Sequence, residues 1–282
     1  MSSLMFKGRN LLVATKHKKE TVITPLLEEN LGVYCFTSNV FDTDSLGTFS
    51  GEIERKHDAL TTLRMKCDEA YKITNCDLIV ASEGSFGPHP SIFFAHADDE
   101  LVMLKDFKND LEIVGREISL ETNFNGALIN NYDDLNEFIE KVSFPSHRVI
   151  LKSSEKNFEK IYKGISSKEV LVENFDELKN NYNSIYIETD MRAMHNPTRM
   201  KVIEKATQNL LQKINTKCPK CLTPGFDVIK ANRGLPCENC YLPTKSTLSY
   251  VYQCVKCNYE EEKKYPRGIY FEDPTFCDNC NP

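Results

Sequence analysis

The sequence predicts an α/β protein, a mixed sheet flanked by helices, followed by a small C-terminal domain of a different kind. Three observations carry this. Short apolar runs alternate with stretches of helical period over residues 1–215. Eight of the eleven cysteines crowd into the last quarter as four CxxC pairs. A chain of 282 residues with 40% hydrophobic content has room for one sizeable core and an appendage, so two domains, 1–215 and 216–282, are expected.

Asn10 to Thr15 (NLLVAT) is a short apolar run that reads as the first strand, and it ends in the charged loop KHKKE. Ile23, Leu26 and Leu27 give the stretch up to Leu31 a helical spacing, and Val33 to Phe36 reads as a second strand. A turn-rich segment, Phe41 to Gly51, follows. Asp58 then caps a helix whose apolar positions Leu60, Leu63, Cys67, Ala70 and Tyr71 recur at helical intervals, which makes Cys67 core rather than ligand. Asp77 to Ser82 (DLIVAS) is a buried strand running into a loop from Glu83 to Pro90. Two glycines and two prolines fix an unusual backbone there, at a strand's carboxyl end, where open α/β sheets place their ligands. Leu101–Leu104 and Leu111–Ile118 read as antiparallel strands around Lys108-Asn109-Asp110, so the sheet is mixed. A helix over Leu135–Val142, strands at Arg148–Leu151 and near Ile161, and a helix over Glu173–Asn180 complete the middle.

The last strand of this domain, Ser184–Glu188, delivers Thr189, Asp190, Met191, Arg192, Ala193, Met194, His195, Asn196, Pro197, Thr198 and Arg199. Asn196 is a good N-cap and Pro197 suits the first helical position, with Met200, Ile203, Ala206, Leu210 and Ile214 forming an apolar stripe after them. A helix N-terminus presents free N–H groups, so Arg192 and Arg199 beside it make a competent oxyanion or phosphate site. Asp190 either holds a metal ion, orients an arginine, or simply locks the turn by pairing with Arg192 or Arg199. Lys16, Lys18 and Lys19 follow the first strand, where they grip an anion or stay solvated. The glycines of a P-loop or dinucleotide fingerprint are absent. His17, His89 and His195 each sit beside a candidate loop, and no Ser/His/Asp triad can be assigned.

Cys218/Cys221, Cys237/Cys240, Cys254/Cys257 and Cys277/Cys280 are the four CxxC pairs. A CxxC turn aims two thiolates at one point, and two turns supply the four sulfurs of a tetrahedral Zn²⁺ site, so two closed structural Cys₄ sites are expected. Disulfides are the competing reading. MSSLMFKGRN has no apolar core of signal-peptide length and no stretch approaches the roughly 20 apolar residues of a membrane span, so a cytoplasmic chain with reduced thiols and no membrane partner is expected. The 15 residues between Cys221 and Cys237 and the 19 between Cys257 and Cys277 are long enough for the hairpin legs of a zinc-ribbon-like domain. Sequential pairing is the first choice, although cross-braced pairing of the first CxxC with the third meets every count. Tyr250, Val251, Tyr252 and Phe271 have strand character and would cover the small core. Metal does much of the stabilising in so short a segment.

A net charge of -6, made more negative by Cys₄ zinc centres, argues against a general binder of phosphate backbones. A local patch of Tyr250, Tyr252, Lys256, Lys263, Lys264, Tyr265 and Arg267 is broken by Glu260, Glu261 and Glu262.

ATKHKKE, FDTD with GTFSGE, ASEGSFGPHP, VGREIS, ETNF, FPSH, ETDMRAMHNPTRM, CPKC, TPGF, GLPCENC and CDNCNP together resemble a bacterial family of unknown function, over nearly the whole chain. That resemblance implies an α/β domain with a zinc-ribbon-like tail and no established activity. Residues 10–125 are also similar to the pyrophosphatases that clear non-canonical purine nucleoside triphosphates, through the AT-plus-lysine loop, SGE, a helix with Arg64 and Lys66, DLIVASEG and VGREIS. This second resemblance implies that Thr15 and one of Lys16, Lys18 or Lys19 contact phosphate and that Glu83 binds Mg²⁺, with Asp77 or Asp190 as further candidates. His17 stands where that family usually has asparagine, and neither DMRAMHNPTR nor the tail has a counterpart there. Two functional expectations result. One is a Mg²⁺-dependent hydrolase of a nucleotide or phosphoanhydride, with Glu83, Asp190, Arg192 and Arg199 catalytic. The other is a non-enzymatic ligand-binding module whose zinc ribbon docks a protein or nucleic acid partner.

Overall fold

The computed structural model describes residues 5–38, 57–89, 92, 95–155 and 159–282. The Phe41–Gly51 segment, the FDTD and GTFSGE motifs and Pro90 lie outside the described residues. The chain forms two units. One comprises Val114–Leu211 with the chain up to Asp110, and the other comprises Gln212–Pro282 with Leu111–Ile113. Among the described residues no helix is long and apolar enough to cross a membrane.

The larger unit opens with β1 (Asn10–Ala14), α1 (Glu20–Leu31), β2 (Tyr34–Phe36), α2 (Ala59–Thr74), β3 (Leu78–Pro88), β4 (His96–Asp106) and, from Val114 on, β5 (Leu111–Ser119). These strands make one mixed sheet in the order β2-β1-β3-β4-β5, parallel across β2-β1-β3 and antiparallel from β3 to β4. Asp58 caps α2 by accepting from the Thr61 N–H, and Gly32 ends α1 in a left-handed conformation, as helix termini require. Because β2 and β3 lie on opposite sides of β1, right-handed crossovers place α1 and α2 on opposite faces. Leu63, Cys67 and Ala70 of α2 pack on Leu12, Ala14, Ile79, Ala81 and Met103, so Cys67 is core as expected.

The stretch expected to be a loop from Glu83 onward is instead strand to Pro88, paired with β4 along its whole length from Leu78↔Asp106 to Pro88↔His96. One of its glycines makes room for a neighbour. Gly84 lies opposite Glu100, and a Cβ at Gly84 would overlap the Glu100 carboxylate.

A second, four-stranded sheet follows, built from β6 (Gly126–Ile129), β7 (Val149–Lys152), β8 (Ile161–Ile165) and β9 (Ile185–Thr189) in the order β6-β9-β7-β8, with every neighbouring pair antiparallel. Helices α3 (Tyr132–Lys141) and α4 (Lys168–Lys179) cover one face through Leu135, Phe138, Leu171 and Phe175. Ile150, Tyr186 and Glu188 occupy the alternate positions and face the other way. Then comes α5 (Pro197–Asn215), whose N-cap Asn196 accepts from the Arg199 N–H at 3.0 Å and whose stripe Ile203, Ala206 and Leu210 is buried. It crosses the sheet at Gly115, where a Cβ would stand 2.7 Å from Leu210 Cα.

The smaller unit is a three-stranded antiparallel sheet of β10 (Asp227–Arg233), β11 (Thr247–Gln253) and β12 (Glu260–Lys264). Tyr250, Val251 and Tyr252 lie in β11 as their strand character required, whereas Phe271 is outside any strand and 46% exposed. It packs edge-on against Tyr241, with ring centroids 5.9 Å apart.

Candidate functional site and metal centres

β1 stops at Ala14 while β3 runs on, so the loop that follows β1 folds over the exposed edge of β3 at the point where the crossovers diverge. Such a switch point is where open α/β sheets form a crevice. Thr15 Oγ1 lies 3.3 Å from Ser82 Oγ across it. His17 and Lys18 take left-handed backbone angles, φ 63° and 60°. This kink leaves Lys18 exposed but turns Lys19 inward, and of the three candidate lysines only Lys19 is buried.

Around Lys19 stand five more charged side chains buried from solvent: Lys66, Glu83, Asp98, Glu100 and Arg199. Lys66 of α2 pairs with Glu83 Oε2. Arg199 of α5 gives its Nε to Glu100 Oε1 at 2.6 Å and its Nη1 to the Met191 carbonyl, and its guanidinium lies 5.2 Å from the Phe86 ring centroid. Burial and the nearby Arg199 push the Lys19 ammonium down to about 8, against the pull of Glu100 and Glu83. Burial and the Glu100 charge push Asp98 up to about 8. Titrations displaced this far by burial and specific partners concentrate at functional sites.

The structure thus brings Thr15, Lys19, Glu83 and Arg199 to one place and adds three residues that sequence reasoning missed as site residues. Lys66 was noted only as part of a basic helix, and Asp98 and Glu100 not at all. Their signal was available: in HADDEL, Asp98 and Glu100 sit two apart on a strand and so share the face opposite Asp99, which reaches Arg116. One expectation changes. Glu83 Oε2 carries the Lys66 ammonium. Asp77 is no partner for Glu83, because Asp77 precedes β3 at the other end of the strand and pairs with Arg9 at 3.0 Å.

Asp190 and Arg192 form a neighbouring group. The Asp190 carboxylate accepts from Arg192 Nε at 2.9 Å and Nη2 at 2.6 Å, so it orients that arginine, while Arg199 turns to Glu100 instead. Both line a cavity of about 90 Å³ with Phe124, Tyr186, Glu188 and Met191, on the face of the second sheet away from α3 and α4. Burial pushes the Glu188 carboxyl up although Lys152 pairs with it at 2.8 Å. Phe124 stacks on Phe86 at 5.5 Å, so the cavity and the buried charges flank one pair of rings. His195 is buried next to Gly164, and its imidazole is held below the ordinary value by burial, despite Asp190. His89 instead accepts from the Ile92 N–H at 3.2 Å.

In the smaller unit none of the cysteines is disulfide-bonded, so the staple reading fails. Two tetrads assemble: Cys218, Cys221, Cys254 and Cys257, and Cys237, Cys240, Cys277 and Cys280, each with all four sulfurs within 4.8 Å of one another. Sequential pairing is therefore wrong. The sheet explains it, since three antiparallel strands carry the chain back and forth and set the first and third CxxC at one end, the second and fourth at the other. Each turn is built alike. The N–H after the second cysteine returns to the carbonyl of the first, from Leu222, Tyr241, Asn258 and Asn281, and the first three of these residues hold φ of 61°, 61° and 54°. Across the tetrads Cys218–Cys257 and Cys221–Cys254 sulfurs are 3.7 and 3.5 Å apart, and Cys237–Cys280 and Cys240–Cys277 are 3.9 and 3.6 Å apart. Tetrahedral Zn–S bonds of about 2.3 Å place sulfurs about 3.8 Å apart, so both tetrads fit zinc as closed, structural sites. Phe226, between Tyr252 and Tyr259, roofs the first.

Fold and tetrads together define an α/β protein bearing a small unit that could hold two metal ions in interleaved cysteine tetrads. The chain belongs to the family described as Domain of unknown function (DUF6671), whose model matches residues 66–282. Among curated proteins none matches the chain.

Proposed function

We propose that the α/β unit is a hydrolase of phosphoanhydrides, acting on a nucleotide or similar phosphorylated small molecule at the switch point between β1 and β3. The observation that carries this reading is the six-charge cluster of Lys19, Lys66, Glu83, Asp98, Glu100 and Arg199, buried where β1 ends. Burying so many charges costs several kcal/mol per uncompensated ion, an arrangement more useful for chemistry than for stability. Lys19 and Arg199 would absorb the charge that develops on the transferred phosphoryl oxygens, with Lys66 holding Glu83 in place. The half-buried rim of Thr15, Lys16, His17 and Ser85 receives the phosphates. The cavity at Asp190 and Arg192 takes the remainder of the ligand, with Asp190 fixing the guanidinium. Asp98 and Glu100 are the acids that serve the attacking water, through carboxylate oxygens that no donor reaches among the described residues.

The test is a nucleotide panel with the full chain in Mg²⁺, read as phosphate or pyrophosphate release. Turnover of at least one nucleotide is expected, and Lys19→Met should lower kcat/KM by roughly 100-fold or more, the scale for losing one preorganised charge-stabilising group. Absence of both turnover and thermal shift across the panel would overturn the reading.

A second reading rests on the apolar residues that the smaller unit exposes at its cysteine turns, Leu222, Tyr241, Val255 and Phe276. Docking of a protein or nucleic acid there predicts that a partner is lost when these residues are changed to serine, with no effect on phosphate ligands.

A further inference from the structure

Asp98 and Glu100 are both fully buried on β4, two residues apart on one face. Among the described residues no hydrogen-bond donor reaches Asp98 Oδ1, Asp98 Oδ2 or Glu100 Oε2. Three carboxylate oxygens without a donor are costly, because a buried acceptor loses its water and gains nothing. The backbone makes room for them. Gly84, opposite Glu100 on β3, has no side chain, and any Cβ there would occupy the space of the Glu100 carboxylate. Arg199 reaches only Glu100 Oε1, at 2.6 Å, and leaves the three other oxygens of the pair without a donor. Something positive belongs between these oxygens.

We infer that Asp98 and Glu100 hold a divalent cation of the Mg²⁺ or Mn²⁺ class. Hard cations take oxygen ligands and need only one or two protein carboxylates, the rest of the shell being water and substrate phosphate. A single shared proton is the alternative occupant. Charge decides between them in the working protein. With both acids ionised, Lys19, Lys66 and Arg199 balance Glu83, Asp98 and Glu100, and a divalent ion leaves the cluster with two positive charges for a polyphosphate; one retained proton would leave one. The cation thus deepens the hydrolase reading, and rests on it for its purpose but not for its detection.

The experiment uses the full, zinc-loaded chain and Mn²⁺ alone, titrated by the loss of the free-ion EPR signal at pH 8, where protons compete least with the metal. One site is expected, with affinity reduced at least 10-fold in Asp98→Asn and in Glu100→Gln, both close to isosteric. A Mn²⁺-dependent rise in Tm should appear in the parent and vanish in Asp98→Asn, which separates loss of the site from loss of the fold. Uptake that is absent, or equal in parent and variants, overturns the cation and leaves the shared proton. Binding of nucleotide or pyrophosphate without metal, and its loss in Lys19→Met, reports on the hydrolase reading separately.

Discussion

At the level of single residues, Asp98 makes the clearest claim about pH. Its carboxyl is raised to about 8, while in the unfolded chain an aspartate titrates near 3.9. Between those values the native state holds a proton that the unfolded state has lost, so this group's contribution to stability falls as pH rises from about 4 to about 8. Lys19, lowered from 10.5 to about 8, works in the opposite direction and only above that window, where stability recovers with rising pH. Glu100, Arg199 and Lys19 are the charged groups facing Asp98. Urea unfolding at pH 6 and pH 8 should therefore show a smaller difference in Asp98→Asn than in the parent, and an unchanged difference would count against the proton. Added Mn²⁺ should flatten the parent in the same way. Residues of this kind were only half legible in the sequence. A lysine run after a strand announces an anion site, but which lysine turns inward depends on the two left-handed residues, His17 and Lys18, that precede Lys19. Asp98 and Glu100 read as solvated strand residues until α5 is known to lay Arg199 across them.

Elements were more legible than residues because their signals are periodic. Asp58, Asn131 and Ser167 each accept from a first-turn N–H of the helix they precede, and Asn196 does the same for α5, so these starts follow from local chemistry. What periodicity could not reveal was partnership. The GSFGP stretch has the composition of a loop, yet it is strand because β4 supplies a full ladder for it, and Gly84 makes room for the Glu100 carboxylate instead of making a turn. β6, with four residues, carries too little pattern to be seen, and without it the later strands read as part of the first sheet rather than a second. Gly115 shows the same dependence on tertiary context. A methyl group there would meet the backbone of α5 at Ala206 and Leu210, which cannot move aside as a side chain can. Gly115→Ala should destabilise the protein by about 1–3 kcal/mol or more, as overpacking does, by chemical denaturation. It should also raise the apparent KM for any phosphate ligand, because α5 carries Arg199. A neutral outcome would mean that the helix is not seated on β5 as described.

For the molecule as a whole, the four CxxC pairs could be recognised as metal ligands from spacing alone, but spacing was blind to how they combine, since sequential and interleaved pairing use the same turns. The deciding fact is the parity of a three-stranded meander, which alternates the ends at which successive turns emerge. Interleaving also has a mechanical consequence. Cys221 and Cys254 are 33 residues apart and Cys240 and Cys277 are 37 apart, so each ion closes a long loop that contains part of the other's site. Closing such loops removes freedom chiefly from the unfolded chain, and metal binding becomes folding energy. Two double variants separate the arrangements with opposite outcomes. Cys221→Ser with Cys257→Ser places both changes in one interleaved tetrad and leaves Cys237, Cys240, Cys277 and Cys280 intact, so one zinc per chain should remain. Cys221→Ser with Cys240→Ser damages both tetrads, and tightly held zinc should disappear. Sequential pairing inverts the two results, because the first variant would then damage both sites and the second only one. Zinc content by elemental analysis, with tetrahedral Co²⁺ absorption as the spectroscopic check, reads either pattern directly. The inverse pattern would overturn the meander as well as the interleaved pairing, since neither can be rearranged without the other.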